Sequence, residues 1–292
     1  MKKRAFLEKT MQGVFCITAC TSVLAVALIC IFLFANGIPA MKEIGFAKFL
    51  LGESWRPGSD IYGILPMILG SIYVTGGAIL VGVPIGILTS VFMANYCPKK
   101  IYPPLKSAIE LLAGIPSVVY GFFGLTVMVP FFNDFFRQHR IDGKGSSMLT
   151  ASLLLGIMIL PTIIGVTESA LRAVPEQYYE GAVALGATHE RSIFSVVLPA
   201  AKSGVVTGVV LGIGRAIGET MAVVMVAGNQ PRMPEGFLKG VRTMTANIVI
   251  EMGYAADLHR EALIATGVVL FVFILLINFC VTLLNRGKRN EA

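Results

Sequence analysis

Long apolar runs alternate with short polar segments along this chain. Six runs are close to or above the ~20 residues that carry a helix across a ~30 Å hydrocarbon core: 14–35, 65–94, 109–132, 148–170, 204–227 and 263–284. None shows the ten-residue alternation of a membrane β-barrel, so each reads as a helix. The second run is longer than a perpendicular crossing needs, which predicts tilt or an interfacial start. The pattern therefore predicts an all-α membrane protein of six transmembrane helices.

Composition sharpens this reading. With 55% hydrophobic and 14% charged residues and a mean hydropathy of +0.76, a soluble globular domain is excluded. Lys2, Lys3 and Arg4 form a basic start before the first run. That run is too long for a usual signal-peptide core and no small-residue cleavage site follows, so it reads as a retained anchor. With the N-terminus inside, the cytoplasmic segments collect thirteen Lys and Arg and the external ones ten. The positive-inside rule thus places both termini in the cytoplasm. The net charge of +7 sits largely beside the spans, where anionic headgroups account for it without nucleic acid.

The chain divides into an N-terminal anchor helix with external loop (1–62), a membrane domain (63–286) and a cytoplasmic tail (287–292). Trp55, the single tryptophan, stands just ahead of the second span and reads as an interfacial belt residue. Cys16, Cys20, Cys30 and Cys280 fall in spans and Cys97 in a cytoplasmic loop, so no disulfide framework is expected. His139, His189 and His259 are scattered over different loops and suggest no metal site. A Walker A motif, paired catalytic carboxylates and a nucleophile constellation are all missing, which argues against an enzyme.

Three segments carry candidate function. The cytoplasmic stretch 171–203 is too polar for lipid, yet its Ala and Leu suit two short helices around Gly186, a docking surface for a soluble partner. Gly114 and Pro116 in the third run form a candidate hinge. In the fifth run Gly204, Gly208 and Gly212, then Gly214 and Gly218, make two small-residue stripes for close packing. As one helix, that run puts Arg215 about 18 Å beyond Ser203, where an arginine costs roughly 2.5–3.5 kcal/mol. Arg215 and Glu219 then share a helix face, either as an internal ion pair or as a fork for a tetrahedral oxyanion in the pathway. Glu168 and Glu110 read as satisfied at the inner interface.

The stretch Glu180, Gly181, Ala182, Gly186, Leu198, Pro199 resembles the coupling (EAA) loop of ABC-importer permeases, with Gly181 and Val196 in place of Ala and Ile. Gly181 weakens its helix by up to ~1 kcal/mol. The segments 112–121, 184–188 and 214–223 are similar to the inner-membrane permeases of phosphate ABC importers. The continuation Met221, Ala222, Val223, then Gly228 and Asn229, resembles the C-type branch. The resemblance implies a type I importer permease fold in a bacterial cytoplasmic membrane. It implies phosphate as substrate, a heterodimer with an A-type sister permease, two ATPase subunits and an external phosphate-binding protein. ATP and Mg would be used by the ATPase, with no cofactor on this chain. It also ties Arg215 and Glu219 to transport. A permease for sulfate, molybdate or another oxyanion is the alternative within the same class.

Overall fold

The computed structural model describes residues 2–287, with side chains for 10–279, and is built almost wholly of helices. The tail beyond residue 287, with Lys288 and Arg289, lies outside the described residues, as do the side chains of Lys2, Lys3, Arg4 and Cys280. Among the described residues, five stretches are long and apolar enough to cross a membrane: Thr10–Ile44, Leu65–Tyr96, Ser117–Gln138, Met148–Arg172 and Asp257–Phe279. A sixth arises if the bent pair His189–Ala200 and Lys202–Gly218 is one span.

The centre is α7 (Met148–Arg172). Ser147 caps it by accepting from the amide of Thr150, and Thr150 Oγ1 donates to Gly145 O at 2.6 Å. Leu154, Leu155, Met158, Ile159 and Ile163 of α7 are fully buried, forming the largest core with residues of α3 (Leu65–Val91) and later helices. The two helices cross closely at glycine. A Cβ on Gly82 would stand 2.8 Å from Gly156 O, so any larger residue there would drive the helices apart.

A second core joins distant parts of the chain. α1 (Lys2–Ile44) packs on α14 (Asp257–Gly287), with Phe34 edge-on to Phe271 at 6.0 Å. Below it lie α2 (Phe46–Leu51), a hairpin of β1 (Trp55–Arg56) and β2 (Ile61–Tyr62), and the end of the loop that leads into α14. Trp55 is 4% exposed and its indole N–H donates to Glu251 Oε2 at 2.8 Å. It is therefore a buried, hydrogen-bonded residue and not a lipid-belt anchor. The sequence had no way to show that a carboxylate 196 positions away waits for its N–H.

Two spans depart from the continuous helices expected. The third is broken: α4 (Tyr102–Gly114) ends before Ile115 and Pro116, both extended (ψ 125° and 144°), and α5 (Ser117–Phe123) restarts the helix. Proline pushes its predecessor out of the helical region and offers no N–H, so the segment breaks instead of kinking. The span then continues through a π-helical turn, Gly124–Met128, into α6 (Val129–Gln138). The fifth is broken too, and α11 (Lys202–Gly218) and α12 (Met221–Val226) are separated by Glu219 and Thr220.

The connections gather at two ends of the bundle. One end holds the hairpin, the loop around Asp142 and residues 228–260, joined by Lys239 Nζ to Asp142 Oδ2 at 2.6 Å and by Met148 N–H to Lys239 O at 3.0 Å. The other holds α4 and the polar stretch 171–203, joined through Glu168.

Candidate coupling loop and translocation face

The stretch 171–203 folds as two short helices around a turn. α8 (Glu176–Ala184) is followed by α9 (His189–Ser192), a π-helical turn (Ile193–Val197) and α10 (Leu198–Ala200). Gly186 has φ +84°, its N–H donates to Val183 O at 2.9 Å, and the Ala187 N–H donates to Ala182 O at 3.1 Å. That pair of bonds is a Schellman cap, which needs a left-handed residue and so favours glycine. Thr188 Oγ1 caps α9 by accepting from the Arg191 amide.

The two helices differ in what holds them. α8 has no buried residue, and Glu180, Gly181 and Gly186 are exposed. Tyr178, Val183 and above all Leu185, at 92% exposure, present apolar surface beside Glu180. Leu198 instead packs on a small core with Ile193, Val197 and Leu171, which roots the far side of the loop in the bundle, while Pro199 is exposed. An aromatic clamp adds to that root. Tyr179 OH is 2.9 Å from His189 Nδ1, and the His189 ring stands edge-on to Tyr96 at 4.9 Å. The loop is thus a rooted element with one free, mixed polar and apolar face.

The base of this loop carries a charge cluster. Glu168, 1% exposed, accepts from Tyr102 OH (2.6 Å), Lys106 Nζ (2.8 Å) and Arg172 Nε (2.9 Å). Arg172 also donates to Met93 O at 2.9 Å and lies 4.6 Å over the Tyr102 ring. The hydrogen bond to Glu168 holds the Lys106 ammonium above its ordinary range, and the same carboxylate raises the Tyr102 phenol. Glu168 is satisfied as expected, and by three side chains, two of them on α4. The Glu168–Arg172 spacing was visible in the sequence; the partners on α4 were not.

The translocation candidates Arg215 and Glu219 do not share a helix face. Arg215 lies in the last turn of α11, exposed, with Nη1 3.4 Å from Thr162 Oγ1. Glu219 is extended (ψ 131°), and its Oε1 accepts from the amides of Thr220 (3.0 Å) and Ala222 (3.2 Å) at the head of α12. Its own carbonyl accepts from Thr245 Oγ1 at 3.1 Å. These bonds satisfy backbone groups that the break frees, as a non-helical segment at membrane depth requires. Among the described residues no ion pair joins Arg215 to Glu219.

The glycine stripes separate into two kinds. A Cβ on Gly204 would collide with Ala170 Cβ, one on Gly208 would stand 3.0 Å from Thr167 Oγ1, and one on Gly212 2.9 Å from Ile163 Cγ1, so the first stripe packs on α7. Gly214 and Gly218 would meet nothing within 4 Å. Arg215 therefore sits on the open side of α11. Gly114 and Pro116 border an open hollow of about 620 Å³ with Ser107, Glu110, Leu111 and Ile115.

Residues 82–290 match the family described as "Binding-protein-dependent transport system inner membrane component". The chain is 39% identical over 280 residues to a probable ABC transporter permease protein, YqgH, of Bacillus subtilis, covering 92% of this chain and 89% of that one. It is 37% identical over 265 residues to the phosphate transport system permease protein PstC of Mesorhizobium japonicum, covering 85% and 81%. Among solved structures, an inward-facing MetNI methionine ABC transporter chain aligns with a TM-score of 0.61 at 19% identity, covering 80% of this chain and 99% of that one. A chain of a bacterial alginate ABC transporter in complex with a pentasaccharide-bound periplasmic protein aligns with a TM-score of 0.60 at 16% identity, covering 92% and 94%.

Proposed function

This chain belongs to the family of binding-protein-dependent transport system inner membrane components, and from that premise we infer that it is a permease subunit of an ATP-driven importer of inorganic phosphate. Permeases of this family work with an ATPase and a substrate-binding protein. The observation that carries the reading is the joining of a rooted loop with an unburied, Schellman-capped helix to relatives whose names specify phosphate transport. A channel working alone has no use for such a loop.

The finer assignments are part of the same proposal. The chain is the C-type partner of a heterodimer with an A-type permease, both termini lie in the cytoplasm, and one of two ATPase subunits docks on α8 through Glu180, Gly181, Ala182 and Gly186, with Leu198 and Pro199 at the root. A phosphate-binding protein delivers substrate at the end that holds the hairpin and residues 228–260. ATP and Mg act on the ATPase, so this chain binds no cofactor. The residues 1–62 serve as an added anchor for the membrane domain 63–286.

Within the pathway, Arg215 offers a planar donor fork to the phosphate oxygens. Glu219 supplies an acceptor for the O–H that phosphate keeps near neutral pH and sulfate lacks. Gly114 and Pro116 act as the hinge at the inner gate. Uptake of labelled phosphate in cells lacking this chain, with and without its return, tests the assignment. Restored phosphate uptake that excess sulfate or molybdate does not depress is expected. Restored sulfate or molybdate uptake in its place would reassign the substrate.

A further inference from the structure

Glu168 is the most deeply buried charged group described in the chain, and the translocation reading makes no use of it. Its position is unusual in what it joins. Glu168 and Arg172 form the last turn of α7, and Ala173, Val174 and Pro175 alone separate that turn from α8. Tyr102 and Lys106 lie on α4, whose other end is the break at Ile115 and Pro116. Beyond the break, a Cβ on Gly121 of α5 would stand 2.9 Å from Ala222 Cα, so α5 lies tight against α12, the helix that Glu219 caps. Tyr120 OH spans the break by donating to Leu112 O at 2.9 Å. One carboxylate therefore closes a chain of contacts running from the docking loop, through α4 and α5, to the pathway residue.

Resting on the reading of 171–203 as the ATPase dock, we propose that Glu168 is a positioning residue for transport: it ties α4 to the base of the loop, so that movement of α8 is passed to the Pro116 break and the gate beyond it. The alternatives within the cluster carry less. Arg172 also holds Met93 O in the π-helical turn Phe92–Tyr96 that ends the second span, and so anchors that end whatever α4 does. The clamp of Tyr179, His189 and Tyr96 connects the loop to the π-helical end of the second span and does not reach α4. Apolar packing of Leu105 and Ile109 on Leu160, Ile164 and Met93 also seats α4, and Glu168 adds the polar tie at the loop end of α4, to a hydroxyl and an ammonium at once. Coupling of this kind travels through packed elements with two arrangements, and a hydrogen-bonded carboxylate can define one of them.

The cluster also tolerates the decisive substitution. Breaking a buried pair is damaging chiefly when a charge is left buried alone. Here the cations are 32% and 46% exposed, so Lys106 and Arg172 can turn to water once the carboxylate is gone. Glu168→Gln should loosen the loop end of α4, while the apolar packing of Ile109 on Ile164 keeps the complex assembled.

The test uses the whole complex, with sister permease, ATPase and binding protein, in sealed vesicles supplied with inorganic phosphate. Uptake and ATP hydrolysis are measured in the same preparation, and the readout is phosphate moved per ATP hydrolysed, which a merely structural loss of complex would not move. Glu168→Gln should lower that ratio about tenfold, and Tyr102→Phe and Lys106→Met should lower it less, in the same direction. The two single-bond variants keep the carboxylate and decide the matter if Glu168→Gln does not assemble. Gly186→Val separates the possible failures. Lost transport in Gly186→Val beside an unaltered ratio in the α4 variants overturns the tie alone. Unaltered transport in Gly186→Val overturns the loop assignment and the tie with it.

Discussion

Arg215 ends one helix and Glu219 opens the next: four positions apart, they are divided by a break in which Glu219 caps α12 through the amides of Thr220 and Ala222. The geometry gives the two residues separate duties. Glu219→Gln keeps an amide oxygen for those two bonds and removes only the charge. Glu219→Ala also removes the cap, at a cost of about 1 kcal/mol. Uptake of phosphate with and without excess sulfate should therefore show lost discrimination in Glu219→Gln at parental protein levels. A fall in protein level is expected in Glu219→Ala alone.

Arg215 is exposed and its hydrogen bond to Thr162, at 3.4 Å, is long. Arg215→Lys keeps the charge and loses the planar fork, so uptake should fall roughly tenfold or more while membrane insertion is unchanged. Parental uptake in both Arg215→Lys and Glu219→Gln would reduce the pair to structural residues.

Gly186 is held at φ +84° by two capping bonds. A β-branched residue in the left-handed region costs about 1–2 kcal/mol more than glycine does. Gly186→Val should block uptake with the protein still inserted, and Gly186→Asn should recover part of it, since asparagine tolerates this conformation. Equal loss in the two variants would point to the volume of the side chain and not to the turn.

Gly208 faces α7, where a Cβ would stand 3.0 Å from Thr167 Oγ1 and 3.3 Å from Ile163 O, too tight for a large side chain. Gly208→Leu should lower the melting temperature of the purified complex, in line with an overpacking cost of about 1–3 kcal/mol. Gly214→Ala, with nothing within 4 Å in this chain, should leave the fold of the subunit intact. A parental melt for Gly208→Leu would contradict the packing of α11 on α7.

The Trp55 indole and the Glu251 carboxylate are both buried, and Arg242 and His259 share the carboxylate. Trp55→Phe strands one oxygen of a charged acceptor in part, which costs about 1.5–3 kcal/mol. A lipid-belt tryptophan would change stability by less than about 0.5 kcal/mol on the same substitution. A denaturation midpoint distinguishes the two.

Lys106 is held above its ordinary range by Glu168. A group whose folded value is raised contributes in full below its unfolded value and loses that contribution as pH climbs through the folded one. The stability difference between Lys106→Met and the parent should therefore be flat from about pH 6 to pH 9 and shrink only above the usual lysine range, near 10.4. A difference that already shrinks near neutrality would mean that Lys106 is not held by the carboxylate.

The sequence reveals the spans of this protein well because bilayer thickness acts on every one of them alike, and run length reports it directly. The two departures have one origin. Hydropathy cannot tell an apolar helix from two apolar helices with a break between them, since Ile115 and Pro116, or Glu219 and Thr220, alter the average little. Pro116 did carry a signal, because a proline offers no helical N–H, and the break falls beside it. Nothing in the spacing of Arg215 and Glu219 betrays that the second caps a new helix, because the amides it accepts from follow it in either case. The docking loop is legible in Gly186 and Pro199, whereas Leu185 stands out only once its exposure is known. The partners of Glu168 and Trp55 come from distant positions, and a single sequence does not record such pairings.

The core around Trp55 has a consequence for how the chain is made. Its walls come from α1 and the hairpin on one side and from α13 (Met244–Glu251) and α14 on the other. During synthesis α1 enters the membrane long before α14 exists, and the Trp55 indole waits for a carboxylate 196 residues later. Until the last helix arrives, α1 has α2, the hairpin and the start of α3 beside it but lacks the helix that Phe34 meets edge-on. A chain that stops before residue 251 lacks part of the wall over Phe49, Trp55 and Ile64, and transiently exposed apolar surface of this kind is aggregation-prone.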